Sequence, residues 1–349
     1  MLYKTFIRPV LFHFQPETVH HLVISMLKSF FRIPGKKWAV QTICGYKNVE
    51  SELNIAGITF PNRVGLAAGF DKNAEVFNEL SHFGFGFIEI GTVTPKGQPG
   101  NPKPRLFRLI PDKALINRMG FNNLGLEEAV QKLKKRNTKA IIGGNIGKNT
   151  ATPNDSAVHD YLACFKGLFP YVDYFVINVS CPNLSDLHEL QDEEYLEEIL
   201  RKVMEMNHSH DTPKPVFLKI SPDLNLHQLD ASIRLTLLYQ LTGIIATNTS
   251  IQRNNLKTPV DKVKAIANGG LSGLPLRERS LEMIRYIRQK TGNRISIIGA
   301  GGIFTAQDAI DKLMAGADLV QVYTGFIYEG PLMVKRINKA IAKYLVEKN

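Results

Sequence analysis

The residues best equipped for chemistry stand together in Asn178-Val179-Ser180-Cys181-Pro182-Asn183, directly after the apolar run Tyr174 to Ile177. Two amides and an ionisable thiol at the end of a β-type run place donors, acceptors and a proton carrier where an alternating β/α protein holds small ligands. Cys181 could serve as nucleophile, metal ligand, acid or base. No histidine follows at a strand end to form a Cys/His pair, and no second ligand cluster suggests a metal, so proton transfer is the simplest role. Asn117, Asn178, Asn183 and Asn248 each offer a donor and an acceptor edge, which suits a cyclic imide or urea-like ring. Lys219 closes the run Val216-Phe217-Leu218 and would bring a cation to a ring that gathers negative charge. Gly299-Ala300-Gly301-Gly302, with Tyr323-Thr324-Gly325, has the small residues that let backbone N–H groups approach a phosphate. Neither a P-loop nor a strand-linked GxGxxG is present.

These residues need a frame, and the hydrophobic periodicity supplies one. Eight strand-like runs (Val64 to Ala67, Phe87 to Ile90, Ala140 to Ile146, Tyr174 to Ile177, Val216 to Ile220, Gly243 to Thr247, Ile295 to Gly299 and Leu319 to Tyr323) alternate with helix-period stretches. The class is α/β, and eight such units predict a (β/α)8 TIM barrel rather than an open sheet. Its strand ends carry Ala68-Gly69-Phe70-Asp71-Lys72, Gly91-Thr92, Asn145 to Asn149, Asn178 to Asn183, Lys219, Thr247-Asn248-Thr249 and the two glycine segments. A hairpin is expected at Leu53 to Phe60, around Ala56-Gly57. Long insertions, Thr94 to Asn123 and Ser250 to Gly273, sit where barrels carry lids.

The N-terminal segment differs from the rest. Phe6 to Phe14 and then Val19, Leu22, Val23, Met26, Leu27, Phe30 and Phe31 recur at helical spacing, which predicts a helical hairpin ending at Pro34-Gly35. Lys4, Arg8, Lys28 and Arg32 flank the stripe, and Lys36-Lys37-Trp38 follow. Such a face either lies in a membrane interface or docks on the barrel as core.

The chain has 349 residues, 44% of them hydrophobic, and a formal charge of +11. That size buries a full core without staples, and the charge suits an anionic surface, a nucleic acid or an anionic small molecule. Three cysteines without CxxC or Cys/His spacing argue for a reducing compartment and against both a disulfide framework and a zinc site; Cys44 and Cys164 read as packing. No secretory signal is evident, and no apolar run approaches the ~18 residues that span a bilayer.

Taken in order, Asn62 to Lys72, Glu89 to Thr94, Lys103 to Leu109, Ile116 to Asn123, Asn145 to Asn149, Asn178 to Asn183, Ile245 to Thr249, Gly269 to Gly273 and Ile298 to Gly302 resemble the dihydroorotate dehydrogenases along essentially the whole chain. The N-terminal hairpin, with Pro16-Glu17 and His20, is similar to the membrane-associated, quinone-using class 2 branch. The resemblance implies FMN-dependent oxidation of dihydroorotate to orotate, a step of pyrimidine biosynthesis, with a membrane quinone as acceptor. It implies FMN contacts from Ala68, Gly69, Lys72, Thr92, Asn145, Asn178, Lys219, Thr247, Gly273, Gly302, Tyr323 and Thr324. Dihydroorotate or orotate contacts follow from Lys72, Asn117, Arg118, Met119, Gly120, Phe121, Asn178, Asn183, Asn248 and Thr249, with Cys181 as the base. His20, Arg108 and Tyr323 would line a quinone tunnel, residues 1–45 forming the tunnel segment and 46–349 the catalytic barrel.

It further implies a peripheral enzyme on the cytoplasmic side of a bacterial membrane, without a nucleic acid or an obligatory protein partner. Class 2 chains usually carry Ser at the position of Cys181, and Leu184 to His188 departs from the usual Thr-Pro-Gly-Leu-Arg. A cysteine base is the habit of soluble class 1 enzymes, so an enzyme using fumarate or NAD is the main alternative. An FMN-dependent tRNA dihydrouridine synthase lacks an RNA-binding extension here, and a membrane-binding module would leave the polar strand ends unexplained.

Overall fold

The computed structural model describes residues 2–46, 49–179 and 189–348. Among them the strands run, in chain order, β1 (Leu53–Ile55), β2 (Ile58–Phe60), β3 (Val64–Asp71), β4 (Phe87–Val93), β5 (Lys96–Gln98), β6 (Leu106–Leu109), β7 (Ala114–Asn117), β8 (Asn123–Gly125), β9 (Ile141–Ile146), β10 (Tyr174–Asn178), β11 (Val216–Ile220), β12 (Gly243–Ala246), β13 (Gly270–Gly273), β14 (Ser296–Ala300) and β15 (Leu319–Val322). Eight of them close a parallel barrel in the order β3-β4-β9-β10-β11-β12-β14-β15, as the alternation predicts. Their strands are buried on both faces, so they read as near-continuous apolar runs.

Side chains alternate between the helix-facing side and the barrel interior. Leu66, Ile88, Phe175, Leu218, Ile244 and Val320 belong to the outer core, packed under the helices. Phe87, Tyr174, Val176, Phe217, Ile245 and Ile298 fill the interior together with Ile55 and Phe60 of the hairpin. The interior rings fit because glycines face them: a Cβ on Gly65 would lie 2.2 Å from the Phe87 ring, and one on Gly143 would lie 2.3 Å from that of Tyr174. The β1–β2 hairpin turns at Ala56 and Gly57, both at positive φ, the geometry of a two-residue primed turn.

The insertions are more ordered than loops. β7 pairs with both β6 and β13, so one antiparallel sheet joins the two insertions across the mouth, while β5 pairs with β8. The helix expected from Ala74 to His82 is shorter, Phe77–Leu80 followed by a 3-10 turn. The Asp71 carboxylate accepts the N–H groups of Glu75 (2.6 Å) and Val76 (2.9 Å), satisfying in another way the donors that a first helical turn would leave open.

At the N-terminus, α1 (Arg8–Phe12) and α2 (Pro16–Phe30) form the expected hairpin, and α3 (Lys36–Cys44) extends it beyond Gly35. Pro16 starts α2 where its missing N–H costs nothing. The apolar stripe divides: Val19, Ile24 and Phe31 are buried on the barrel, whereas Leu22, Met26 and Phe30 face outward, with Trp38 73% exposed. The docking reading therefore holds for one part of the stripe, and the other part is exposed. No helix among the described residues is long and apolar enough to cross a membrane.

Candidate active site

At the C-terminal ends of the barrel strands lies a cavity of about 860 Å³, covered by the inter-insertion sheet and by α2. Its floor follows from the alternation within each strand. Tyr174, Val176 and Asn178 share the inner face of β10, as do Phe217 and Lys219 of β11, so apolar residues at the strand starts give way to polar ones at the ends.

The polar layer is continuous. Thr92 Oγ1 donates to Asn145 Oδ1 (2.6 Å), Asn178 Nδ2 donates to Thr92 Oγ1 (2.9 Å), and Asn248 Nδ2 donates to Asn178 Oδ1 (3.2 Å). Beneath lies Glu89, fully buried, which accepts from Asn145 Nδ2 (3.4 Å), Tyr174 (3.4 Å) and Gln321 Nε2 and stands 4.0 Å from Lys219 Nζ. Burial pushes the Lys219 ammonium below its ordinary pKa, and Glu89 opposes that shift. Glu89 and Gln321 received no role from the sequence. The signal was the strand period of two, since Glu89 and Gln321 lie two residues from the inward-facing Phe87 and Leu319.

Around this floor the cofactor-type and substrate-type residues converge. Ala68, Gly69, Lys72, Thr92, Asn178, Lys219, Thr247, Gly273, Gly302, Tyr323 and Thr324 all line the cavity, as do Asn117, Arg118, Met119, Gly120, Phe121, Asn248 and Thr249. Asn145 is buried behind Thr92 and outside the cavity wall, holding its neighbours. The Arg118 guanidinium is committed to the carbonyls of Ile266 (3.0 Å) and Pro104 (3.0 Å), so it fastens the two insertions together. Cys181 and Asn183 lie outside the described residues.

The glycine loop has the form of a phosphate cradle. Gly301 and Gly302 follow β14 at φ +106° and +73°, and a Cβ on Gly302 would approach Arg277 Cα to 2.4 Å. Thr324 shares a 2.8 Å hydroxyl contact with Ser272, which brings the opposing insertion against that loop. Behind it, the fully buried Lys312 donates to Ser280 Oγ (2.7 Å), which donates to the Ala300 carbonyl (2.6 Å). On the floor Gln321 Oε1, buried, has no hydrogen-bond partner among the described residues, leaving an acceptor for a ring N–H. A glycine cradle at one end and amide edges with an open acceptor at the other fit a flavin mononucleotide.

Lys72 sits at the rim, its Nζ 2.6 Å from Asn122 Oδ1; burial, and then the charge of Arg105, pull it down to about 7. Gln98 Nε2 donates to the carbonyls of Gly120 (3.0 Å) and Phe121 (3.1 Å), fixing the turn after Asn117. On the α2 side His20 meets the Phe70 ring edge-on at 5.3 Å, and Phe70 meets Tyr323 at 6.1 Å, so His20 and Tyr323 share an aromatic wall. Burial, reinforced by Lys72, lowers the His20 pKa to about 4. Arg108 is outside that wall: its guanidinium lies 4.5 Å over the Phe12 ring and donates to the Phe14 carbonyl (2.6 Å), drawn outward by the N-terminal helices.

Comparisons with known proteins converge. A family model described as dihydroorotate dehydrogenase matches residues 51–345. A protein of Christiangramia forsetii named dihydroorotate dehydrogenase (quinone) is 52% identical over 97% of this chain and 98% of its own length. A Coxiella burnetii protein of the same name is 45% identical over 97% of this chain and 96% of its own. Among solved structures, that of the Eimeria tenella enzyme in complex with ferulenol superposes with a TM-score of 0.83 at 35% identity, covering 95% of this chain and 92% of the other.

Proposed function

The chain belongs to the dihydroorotate dehydrogenase family, and from that premise we propose that it oxidises dihydroorotate to orotate, with FMN as resident cofactor and a membrane quinone as acceptor, in pyrimidine biosynthesis. The observation that carries this reading is that a glycine cradle, an amide floor and a wall of α2 meet in one cavity.

The cradle of Gly301, Gly302 and Thr324 would hold the cofactor's phosphate, and Gly69, Thr92, Asn178, Lys219 and Thr247 its ring. When bound, FMN would supply the two-electron redox chemistry that links oxidation of the substrate at C6 to reduction of the quinone. The remaining work falls to the protein. Asn117, Asn178, Asn183 and Asn248 clamp the substrate ring through its alternating N–H and C=O edge, and Lys72 meets its carboxylate. Cys181 takes the C5 proton. Lys219 offsets negative charge at the floor, and the insertions exclude water.

The acceptor route is proposed to run between the N-terminal helices, past His20 and Tyr323, with Arg108 at its outer side. Residues 1–45 form this segment and 46–349 the catalytic barrel. Exposed Leu22, Met26, Phe30 and Trp38, beside Lys36 and Lys37, support docking of the segment on an anionic membrane surface.

Steady-state turnover of dihydroorotate with a short-chain quinone, fumarate or NAD separates the readings. The quinone sustains turnover at least about ten times faster than either soluble acceptor if the class 2 assignment holds. Preference for fumarate or NAD would instead follow the cysteine at position 181 and refute the quinone route.

A further inference from the structure

Arg105 joins two parts of the molecule to which the proposed function gives separate tasks. Its Nε lies 3.1 and 3.2 Å from the two carboxylate oxygens of Glu17, and its Nη2 lies 2.7 Å from Glu17 Oε1. Glu17 is in the first turn of α2, the acceptor-side helix, three residues before His20. The opposite edge of the guanidinium donates through Nη1 to the carbonyls of Pro99 (2.5 Å) and Asn101 (2.9 Å). Glu17 and Arg105 are each 7% exposed. Burial alone would raise the Glu17 pKa, and the hydrogen bonds and charge of Arg105 hold it below its ordinary value. Lys103 and His21 stand 3.7 Å from the same carboxylate, at its exposed side.

What Arg105 holds leads directly to the substrate residues. Asn101 donates from its backbone N–H to the Met119 carbonyl (3.1 Å) and from its side chain to the Arg118 carbonyl (2.9 Å), while the Arg118 N–H donates to the Arg105 carbonyl (2.9 Å). There is little slack in this ring of bonds. A Cβ on Gly100 would lie 2.1 Å from the Met119 carbonyl oxygen, and one on Gly120 would lie 2.9 Å from Asn101. A shift of Arg105 must therefore move the Met119–Gly120 turn. Arg105 also acts on Lys72 through its charge, an effect that Glu17 opposes.

We propose that α2 forms part of the substrate half of the site: Glu17 is a positioning residue that fixes Arg105 and, through it, the Asn117 to Phe121 segment and the cation that meets the substrate's carboxylate. The N-terminal segment then has a second task besides admitting the electron acceptor. This rests on the reading that the mouth binds dihydroorotate and orotate. Removing Glu17's charge leaves a buried guanidinium without its anion, which costs the order of the turn, and withdraws the influence that favours the charged form of Lys72, the cation that retains an anionic ligand.

The test is calorimetric titration of orotate into the FMN-loaded, full-length protein, paired with the kinetics of dihydroorotate oxidation. Glu17→Gln is expected to raise the orotate Kd and the dihydroorotate KM about ten-fold, with kcat changed less than about two-fold and flavin content retained. Glu17→Asp keeps the anion and should stay within about three-fold of wild type. Because Glu17→Gln also costs stability, Arg105→Lys serves as a second arm: it retains both charges but loses the fork to Pro99 and Asn101, and should weaken orotate binding in the folded holoenzyme. An orotate Kd equal to wild type in either Glu17→Gln or Arg105→Lys overturns the proposal. Failure of the wild-type holoenzyme to bind orotate overturns the functional reading itself, and the proposal with it.

Discussion

The two ends of the barrel interior are built on opposite principles. At the end where the strands begin, Phe60 of the hairpin meets Phe87 at 5.3 Å, Phe87 meets Tyr174 at 6.3 Å, and Tyr174 meets Phe217 at 5.7 Å, all edge-on. These rings bury apolar area, and their edge-to-face geometry adds to it. Two residues further along the same strands stand Glu89 and Lys219, buried at 0% and 6% exposure. Removing such charges from water costs several kcal/mol each, only partly offset by a partner at 4.0 Å. One end stabilises the fold, and the other spends part of that stability on a layer of polar groups facing a cavity.

Breaking the apolar end should produce the largest effect on stability and the least on chemistry. Phe60→Ala leaves a void among rings that the hairpin cannot fill, and should lower the unfolding free energy by about 3–5 kcal/mol in denaturant titrations. Below the lowered melting point, its kcat/KM for dihydroorotate should match wild type. Breaking the polar end should do the reverse. Lys72→Met removes a cation whose burial holds its pKa near 7. It should lower kcat/KM about a hundred-fold, about 2.7 kcal/mol of transition-state stabilisation, without lowering the thermal midpoint. The contrast fails if Phe60→Ala costs substrate affinity or Lys72→Met costs the fold.

The same two ends explain what could be read from the sequence. The barrel was legible because its strands are continuous apolar runs, and the structure closes those eight segments with ends shifted by no more than four residues. The strand-end polar residues were legible as an inventory, and most of them meet in one cavity. Helix α3 was missed because Lys36, Lys37 and the exposed Trp38 give it no apolar stripe. The sheet joining the insertions pairs Asn117 with Gly270, and Glu17 meets Arg105 88 residues away. Neither contact is written in local periodicity. Arg108 lies outside the cavity wall, against the Phe12 ring and the Phe14 carbonyl of the N-terminal helices, contacts that local periodicity does not carry.

The central claim, that the polar end is a dihydroorotate-oxidising site with Cys181 as its base, is tested most directly by anaerobic mixing of the flavin-loaded protein with dihydroorotate across a pH series, for wild type and Cys181→Ser. A thiol titrates near pH ~8.5 and an alcohol far above that, so reduction should climb with pH in wild type as the thiolate forms. The serine variant's profile should be displaced to more alkaline pH. A flavin that dihydroorotate does not bleach at any pH would contradict the account, and superimposable profiles would remove Cys181 from the chemistry.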